Sequence, residues 1–386
     1  MARRKNSRAA SGAGSIRQRS DGTWEGRFTV GTNPATGKPV RKSVYGKTQA
    51  EVRKKMTERL KMIDEGNYHE PSKLTVSQWL DEWMSVYKCN LAPKTREQYD
   101  GYIKNRIKPA LGRIALGKLS ATQVQRFYND LSNGERAVKP KTVSNIHGIL
   151  HGALKKAVDL EYIPKNVAEK CVIPKVEKAE IEPFTHAEMM EFLQAIKGHK
   201  YEHFYIVALF TGMRLGELLG LSWRQIDFEK GVIVIDQQLQ RVNKTHIIKK
   251  PKHGKSREIA PASLVMDTLR AERYHQLEMR MRNADVWKNE MDLVFTNEIG
   301  GHYVGVSVFN CFRRICTKLG RPDMRVHDLR HTYAVNCLQA GDDFKTLQSN
   351  LGHHSAAFTL DRYAHFTQDM QRASAARMDA FIEKLG

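Results

Sequence analysis

Four consecutive amphipathic segments between residues 74 and 160 constrain the fold most strongly. Each repeats apolar residues at the spacing of one helix face and follows a helix start signal. The segments are LTVSQWLDEWMSVY, APKTREQYDGYIKNRI, SATQVQRFYNDL and KPKTVSNIHGILHGALKKAVDL. They predict a four-helix unit within a chain of 386 residues, which is long enough for two or three domains.

One loop of this unit imitates a phosphate-binding motif. The sequence LGRIALGKL places Gly112, Gly117 and Lys118 at suggestive positions. Leu119, however, stands where that motif requires Ser or Thr, and no buried strand precedes the loop. We therefore expect a simple connection between two helices.

The residues before the helical unit predict a small sheet with one helix. SIRQR, TWEGRFTVG and PVRKSVYG form three short strand patterns, separated by Asp21-Gly22 and by the NPATGK turn. Thr48 and Glu51 then have the spacing of a capping box. The helix that follows has one apolar stripe, made of Val52, Met56, Leu60 and Ile63.

Net charge indicates a polyanionic partner. Lys and Arg total 63 against 42 Asp and Glu, which gives +21 and a pI near 9.7. Residues 1–64 hold 16 basic and 5 acidic side chains, so half of the excess lies in this module. Because a three-stranded sheet can enter a major groove, we expect DNA contacts from its basic strand residues. These are Arg17, Arg19, Arg27, Arg41 and Lys42. A solvated basic face is the alternative.

Cysteine usage and the apolar pattern favour a soluble cytoplasmic protein. The five cysteines are odd in number, scattered and without a Cys-x-x-Cys pair, so neither a disulfide framework nor a zinc site is indicated. No apolar run approaches the roughly 20 residues of a membrane span. The N-terminal MARRKNSRAASGAGS lacks the apolar core of a signal peptide. Its composition resembles a transit peptide only superficially.

After a predicted linker, IPKVEKAEIEPF, the third segment gathers residues that can carry chemistry. LFTGMRLGELLGLSW places Arg214 at a helix start, before a strand-like run, and PKHGKSRE places Lys252 between the β-like runs THIIKK and REIA. HDLRHTYAVNCL puts His327 and Arg330 on one helix face. LGHHSAAFTLDRYAHF adds His353 and Tyr363. Each of these residues, taken singly, has a structural explanation, but their occurrence together in one segment does not.

These motifs, in this order, resemble the signature of the tyrosine recombinase, or phage-type integrase, family, and most closely its conjugative-transposon members. The resemblance covers the whole chain. It implies a multidomain, mainly α fold with small β-sheets: an arm-type DNA-binding domain at 1–67, a helical core-binding domain at 73–174 and an α+β catalytic domain at 181–386. One departure is Asn166-Val167, where many relatives have Asn-Pro; it touches a helix end and no catalytic residue.

The resemblance also implies roles for six side chains. Tyr363 is the nucleophile that stores the cut bond as a covalent ester, and Arg214 and Arg330 bind the non-bridging phosphate oxygens. Lys252 is the general acid, His327 assists the tyrosine proton and His353 donates a hydrogen bond to the phosphate. The general acid could instead be one of three neighbouring lysines, Lys249, Lys250 and Lys255. The histidine roles could likewise belong to His331 and His354. We expect all of these neighbours to face solvent or to cap helices. No metal or other cofactor is implied.

The predicted function is site-specific DNA recombination, as the integrase of a mobile element, by four protomers on two double-stranded DNA sites. A DNA-bending or excision protein is a further possible partner. Expected contacts in the helical domain are Lys94, Arg96 and Lys141. A type IB topoisomerase or telomere resolvase, which would act without a second site, is the enzymatic alternative. The other alternative is a non-catalytic DNA-binding regulator, although the six intact catalytic side chains argue against it.

The C-terminal segment carries one more apolar stripe. Met378, Phe381, Ile382 and Leu385 fall at helical spacing on a segment too short to bury them alone. Family resemblance favours docking of this tail onto a neighbouring protomer in a ring. Docking onto its own catalytic domain is the alternative.

Overall fold

The computed structural model describes residues 14–32, 36–64, 74–177, 182–243, 245–251 and 254–352, together with residues 375, 378, 379 and 381–383. The chain forms two compact units, Met1–Glu177 and Lys178–Gly386. Helices predominate, and the described part contains three small antiparallel sheets. The expected fold class is therefore confirmed. The three-domain division remains a prediction, because the N-terminal module and the helical unit both belong to the first compact unit.

The first unit begins with the predicted sheet and helix. Strands β1 (Ser15–Gln18), β2 (Trp24–Thr32) and β3 (Pro39–Gly46) pair antiparallel in chain order, and helix α1 (Gln49–Asp64) follows. Val52 and Met56 of α1 are buried, as is Phe28 of the sheet. A Cβ at Gly26 would lie 2.5 Å from the Met56 sulfur, so only glycine permits this close approach of α1 to β2.

The predicted capping box at the start of α1 forms with one change. The backbone N–H of Glu51 donates to the Thr48 hydroxyl, as expected. The Glu51 carboxylate, however, accepts from the backbone of Lys47, one residue before the expected Thr48. Both contacts satisfy N–H groups that no helix carbonyl can reach.

The helical part of this unit contains all four predicted helices. They are α2 (Val76–Glu82), α3 (Pro93–Tyr102) with its short continuation α4 (Lys108–Leu111), α5 (Ala121–Asn133) and α6 (Pro140–Asp159). π-helical turns at Trp83–Tyr87 and Ile103–Ile107 extend α2 and α3. Capping boxes at Thr75 and Ser120 begin α2 and α5, and prolines occupy the first turns of α3 and α6.

The core of this helical part is large and aromatic. Trp79 and Trp83 are buried, and the Trp79 indole N–H donates to the Ala153 carbonyl of α6 at 3.0 Å. The loop that imitates a phosphate-binding motif is a single 3₁₀ turn, Leu116–Lys118, with Leu116 buried, as expected of a helix connection. Asn166 caps a further 3₁₀ turn by accepting from the Ala168 backbone at 3.0 Å.

The second unit packs helices around two small sheets. Its helices are α7 (His186–Ile196), α8 (Glu202–Thr211), α9 (Leu215–Leu219), α10 (Ser263–Arg282), α11 (Gly305–Lys318), α12 (Val326–Gln339) and α13 (Phe344–Leu351). Its strands are β4 (Ile226–Asp227), β5 (Val232–Ile235), β6 (Gln238–Val242), β7 (Thr245–Lys249) and β8 (Arg257–Ile259). Phe192, Tyr205 and Phe312 make mutual ring contacts at the centre of its core.

The two β-like runs that flank Lys252 are strands, but they belong to different sheets. β7 pairs with β6 in a hairpin, whereas β8 pairs with β5 in the order β4-β5-β8. The PKHGKSRE segment thus connects two sheets rather than closing one hairpin. Lys252 itself lies outside the described residues.

The described tail positions are helical, which agrees with the spacing of their apolar side chains. Met378, Phe381 and Ile382 are more than half exposed. Leu385 lies outside the described residues. In the described part of the chain, no helix has the length and apolar character needed to cross a membrane.

Candidate active site

The predicted Arg214 lies at a sharp junction between two helices. Helix α8 ends at Thr211, Gly212 takes a left-handed conformation with φ +61°, and Arg214 is extended immediately before α9. A Cβ at Gly212 would lie 2.4 Å from a ring carbon of Tyr333, so this position requires glycine. The junction directs Arg214 toward α12 and α13 rather than along the helix.

Arg214 is held by a buried carboxylate that was not among the predicted site residues. Glu217 is fully buried and accepts from the Arg214 guanidinium at 2.8 Å and from the Arg214 backbone at 2.9 Å. The same carboxylate accepts from the guanidinium of Arg257 at 2.7 Å. The sequence contained one signal for this contact: Glu217 is the single acid in the apolar run RLGELLGL, three residues after Arg214.

Glu217 is ionised in this setting. Burial by itself would raise its pKa, but hydrogen bonds and charge from Arg257 and Arg214 outweigh burial and lower the pKa to about 2. One carboxylate therefore shares its charge between two guanidinium groups. The cluster keeps a net positive charge because two arginines face one acid.

Arg330 approaches the same place from α12. It is 2% exposed, and its two terminal nitrogens donate to the Gly212 carbonyl at 2.6 Å and to the Leu351 carbonyl at 2.5 Å. The first contact ties α12 to the junction that carries Arg214. The second ties it to the C-terminal end of α13.

Three arginines converge on consecutive carbonyls at the end of α13. Arg257 donates to Asn350 at 2.8 Å, Arg330 to Leu351 and Arg214 to Gly352 at 3.1 Å. The C-terminal end of a helix carries partial negative charge, which favours cations there. This arrangement gathers three guanidinium groups around residues 350–352, and such a concentration of positive charge suits an anion such as a phosphodiester.

His327 lies at the exposed first turn of α12, three residues before Arg330. Surrounding protein excludes water from part of its ring, and this, together with the Arg330 charge, lowers its pKa to about 4. His327 is therefore neutral at pH 7. His331 packs edge-to-face against it at 4.9 Å and is only 5% exposed. The expectation that His331 faces solvent is wrong, because α12 turns this position into the core.

The remaining predicted catalytic residues, Lys252, His353 and Tyr363, lie outside the described residues, as does His354. The structure describes the three lysines that are alternatives to Lys252: Lys249 is half-buried in β7, while Lys250 and Lys255 are exposed. The structure thus brings together Arg214, Arg330 and His327, and adds Glu217 and Arg257.

Comparisons with known proteins identify the family of this chain. The Phage integrase family model matches residues 182–370, and the model of the phage integrase N-terminal SAM-like domain matches residues 75–132. A tyrosine recombinase XerC-like protein of Caldanaerobacter subterraneus subsp. tengcongensis is 32% identical over 359 residues, covering 87% of this chain and 90% of that protein. The chain belongs to the tyrosine recombinase family. It is a DNA strand-cleaving and rejoining enzyme of the integrase type that performs site-specific recombination of mobile elements.

Other relatives and solved structures agree. The ICEBs1 integrase of Bacillus subtilis is 21% identical over 385 residues, covering 95% of the recombinase and all of that integrase. The Tn1549 transposon integrase in complex with transposon right end DNA has the same fold, with a TM-score of 0.67 and 23% identity over 79% of this chain and 100% of that chain. A lambda integrase tetramer bound to a Holliday junction gives a TM-score of 0.56 and 18% identity, covering 88% of this chain and 96% of that one.

The N-terminal basic residues of the recombinase do not all share one surface. Strand register places Arg17, Arg27 and Arg41 on the sheet face opposite α1, and Arg19 beyond β1 lies 5.6 Å from the Tyr45 ring centre. Lys42 pairs with Phe28 and lies on the α1 face instead. Alternation along β3 separates it from Arg41.

The basic residues predicted for the helical part lie at helix starts. Lys94 and Arg96 are in the first turn of α3, where Lys94 pairs with Glu97 at 2.7 Å, and Lys141 is exposed in the first turn of α6. The N-terminal ends of helices favour anions. Within the described ranges, no group of three histidine, cysteine or acidic side chains is suited to a metal ion.

Glu217→Gln should destabilise the recombinase and reduce DNA cleavage. Gln cannot neutralise Arg257, whose side chain is 8% exposed, and breaking a buried ion pair from one side costs about 3–5 kcal/mol. We expect a lower midpoint of thermal unfolding at pH 7 and slower strand cleavage. Glu229→Gln, which changes an exposed glutamate of the same unit, should match the wild type.

The difference in unfolding free energy between the wild type and Glu217→Gln should also depend on pH, and it should shrink in acid. Because the pKa of Glu217 is lower in the folded chain than the roughly 4.3 of an unfolded chain, its stabilisation is complete above that value. It is lost as the pH falls through the folded pKa of about 2. Unfolding measured between pH 7 and pH 3 should show the free-energy difference between the wild type and Glu217→Gln narrowing below about pH 4. A difference that stays constant down to pH 3 would contradict this account.

Proposed function

We propose that this recombinase cuts one strand of its DNA site by attack of the Tyr363 phenolic oxygen on the scissile phosphorus. The new oxygen–phosphorus bond stores the strand as a 3′-phosphotyrosine, while the bond to the 5′-oxygen breaks and releases a 5′-hydroxyl. Attack of a partner strand's 5′-hydroxyl on this ester rejoins the DNA and frees the tyrosine. The observation that supports the proposal is the convergence of Arg214 and Arg330 at the end of α13, shortly before Tyr363 in the chain.

The two arginines supply the charge that the attack needs. With a pKa near 10, only about one free tyrosine in a thousand is ionised at pH 7, so the reaction requires stabilisation of its transition state. Negative charge grows on the two non-bridging oxygens, and planar guanidinium groups bind such oxygens with paired N–H donors. Glu217 and the helix carbonyls hold these groups in place before DNA arrives.

His327 accepts the tyrosine proton in this scheme. A base must be unprotonated to act, and the lowered pKa of His327 keeps it so at neutral pH. Its ring lies on the same face of α12 as Arg330, which places base and phosphate-binding group side by side. His353, next to Gly352, donates a hydrogen bond to the phosphate.

Lys252 protonates the leaving 5′-oxygen. Arg257, five residues later, is anchored on Glu217 and on the Asn350 carbonyl. The segment that carries Lys252 therefore ends beside Arg214 and Arg330. A substrate with sulfur at the 5′-bridging position leaves without a proton. It should therefore restore cleavage to Lys252→Ala but not to Arg214→Ala.

The same experiment decides between the lysines. Alanine at Lys250 or Lys255, which are exposed, should leave cleavage of the ordinary substrate intact, and Lys249→Ala should not respond to the sulfur. Cleavage rates from denaturing gels provide the measurement. Equal failure of Lys252→Ala on both substrates would reject its role as general acid.

Assembly and additional DNA contacts complete the proposal. Four protomers act on two sites, and the exposed Met378, Phe381 and Ile382 of the tail dock on a neighbouring protomer, which the mass of the complex on paired sites would test. Residues 1–67 bind arm sites, residues 73–174 bind the core site and residues 181–386 cut it. The protein acts on nucleoid DNA in the cytoplasm, with a DNA-bending or excision protein as an accessory partner.

A nicked suicide duplex that carries one end of the mobile element tests the reaction. The nick lets a short 5′-hydroxyl fragment diffuse away, so the strand cannot be rejoined and the covalent complex accumulates. We expect a protein–DNA band that survives denaturing electrophoresis, with nucleotides attached to the Tyr363 peptide. Binding of the duplex without any such band would contradict the proposed chemistry.

A further inference from the structure

Glu25 is a buried acid on the basic face of the N-terminal sheet. It lies on the central strand β2, opposite Arg17 on β1 and Tyr45 on β3, and its side chain is 4% exposed. Neighbouring strand residues on this face include Arg27 and Ser43. The acid thus lies at the centre of the surface on which the positive charge of this module is displayed.

Donors from all three strands converge on this one carboxylate. Arg17 donates through Nε at 2.8 Å and through Nη2 at 2.7 Å, and Arg27 donates through Nε at 3.0 Å. The hydroxyls of Ser43 and Tyr45 donate at 2.9 and 3.4 Å. Hydrogen bonds from Arg27 and Arg17 lower the pKa of Glu25 to about 2, so the group is an anion at neutral pH.

These contacts fix which edge of each arginine faces outward. A guanidinium is planar and carries five N–H donors, and Glu25 occupies the Nε edge of both groups. The outer edge of each group, between Nη1 and Nη2, keeps N–H donors that these contacts do not use, although Nη2 of Arg17 also directs one of its hydrogens to Glu25. The side chains of Arg17 and Arg27 are 58% and 49% exposed, so a ligand can reach them from solvent.

Guanine is the base that this outer edge fits. Its O6 and N7 atoms are adjacent acceptors in the major groove, and paired arginine donors bind them together. Two guanidinium groups that share one carboxylate are close enough to reach neighbouring base pairs, which are spaced about 3.4 Å apart. A surface that bound only phosphates would gain nothing from a negative charge at its centre.

We propose that Glu25 is a positioning residue for DNA sequence recognition, which holds Arg17 and Arg27 so that they read two neighbouring guanines in the major groove. This inference rests on the proposed function of residues 1–67 as an arm-site DNA-binding domain. Held arginines lose less conformational freedom on binding than mobile ones. The discrimination against other bases is about tenfold or more at each position.

Selection from a duplex library with a randomised segment tests the role of Glu25 in the full-length protein. The wild type should enrich sequences with two neighbouring guanines, relative to an Arg17→Ala/Arg27→Ala double variant. Glu25→Gln should lose this preference by about tenfold at each position, since the guanidinium groups of Arg17 and Arg27 are no longer held. Its affinity for the unselected library should equal or exceed that of the wild type, because one negative charge has been removed.

A matched control separates positioning from charge and from folding. Glu58→Gln removes the same charge from exposed α1, and it should retain the guanine preference. If Glu25→Gln also retains the preference, or if it loses affinity for the unselected library as a misfolded module would, the inference is wrong. If instead the double arginine variant selects and binds as the wild type does, the sheet is not a DNA-binding surface, and the arm-binding part of the proposed function fails.

Discussion

Tyr363→Phe should abolish the covalent protein–DNA complex on a nicked suicide duplex while leaving DNA affinity unchanged. The substitution removes only the phenolic oxygen, which in the proposed mechanism is the atom that forms the ester with phosphorus. The guanidinium groups of Arg214, Arg330 and Arg257 are untouched, so the phosphate should still bind. Denaturing gels measure the adduct, and mobility-shift titration measures the affinity.

A second tyrosine supplies the control for this experiment. Tyr274 lies on α10 of the same unit and is 71% exposed, so Tyr274→Phe removes a hydroxyl without altering the core. It should form adduct at the wild-type rate. An adduct that persists in Tyr363→Phe would assign the nucleophile elsewhere, and mass spectrometry of the DNA-bearing peptide would then identify it.

Local patterns predicted the elements of this fold well. The helices predicted between residues 74 and 160 are confirmed. Their apolar stripes pack into one common core, with Trp79 and Trp83 at its centre. The three N-terminal strands and α1 likewise follow their turn and capping signals. Such signals act between residues a few positions apart, and these are the distances at which a single sequence is informative.

Partners that are distant in the chain were not predictable in this way. Arg257 meets Glu217 across 40 positions, and Arg330 meets Gly212 across 118. No local pattern encodes such contacts, so Glu217 and Arg257 were missed although both lie beside predicted site residues. The pairing of β7 and β8 with different partners has the same cause, since strand propensity does not specify the neighbouring strand.

The placement of Lys42 could have been predicted from sequence, whereas the burial of His331 could not. Alternation along PVRKSVYG already puts Arg41 and Lys42 on opposite faces, so both could not contact one DNA surface. His331 follows His327 by one helical turn, but α12 carries apolar residues around much of its surface and is buried on several sides. A periodicity argument fails there because the helix lacks a clear solvent face.

Arg330→Lys should slow cleavage by about 100- to 1,000-fold, the loss typical of removing one preorganised donor to a developing oxyanion. Arg330 is 2% exposed and spans two carbonyls, those of Gly212 and Leu351, with its two terminal nitrogens. A lysine ammonium is a single point and cannot reach both carbonyls or present a planar pair of donors to phosphate. The charge is kept, so the loss would report geometry rather than electrostatic attraction alone.

Arg214→Lys should show a similar loss for the same reason, since it also bridges two groups, Glu217 and the Gly352 carbonyl. Arg270→Lys, at a half-exposed position on α10, is the matched control and should cleave normally. DNA affinity measured in parallel should fall far less than the cleavage rate, because in the proposed mechanism the arginines act on charge that develops during the reaction. If Arg330→Lys and Arg214→Lys both cleave near the wild-type rate, the arginines serve only to tie α12, α13 and the Gly212 junction together, and another group must stabilise the phosphate.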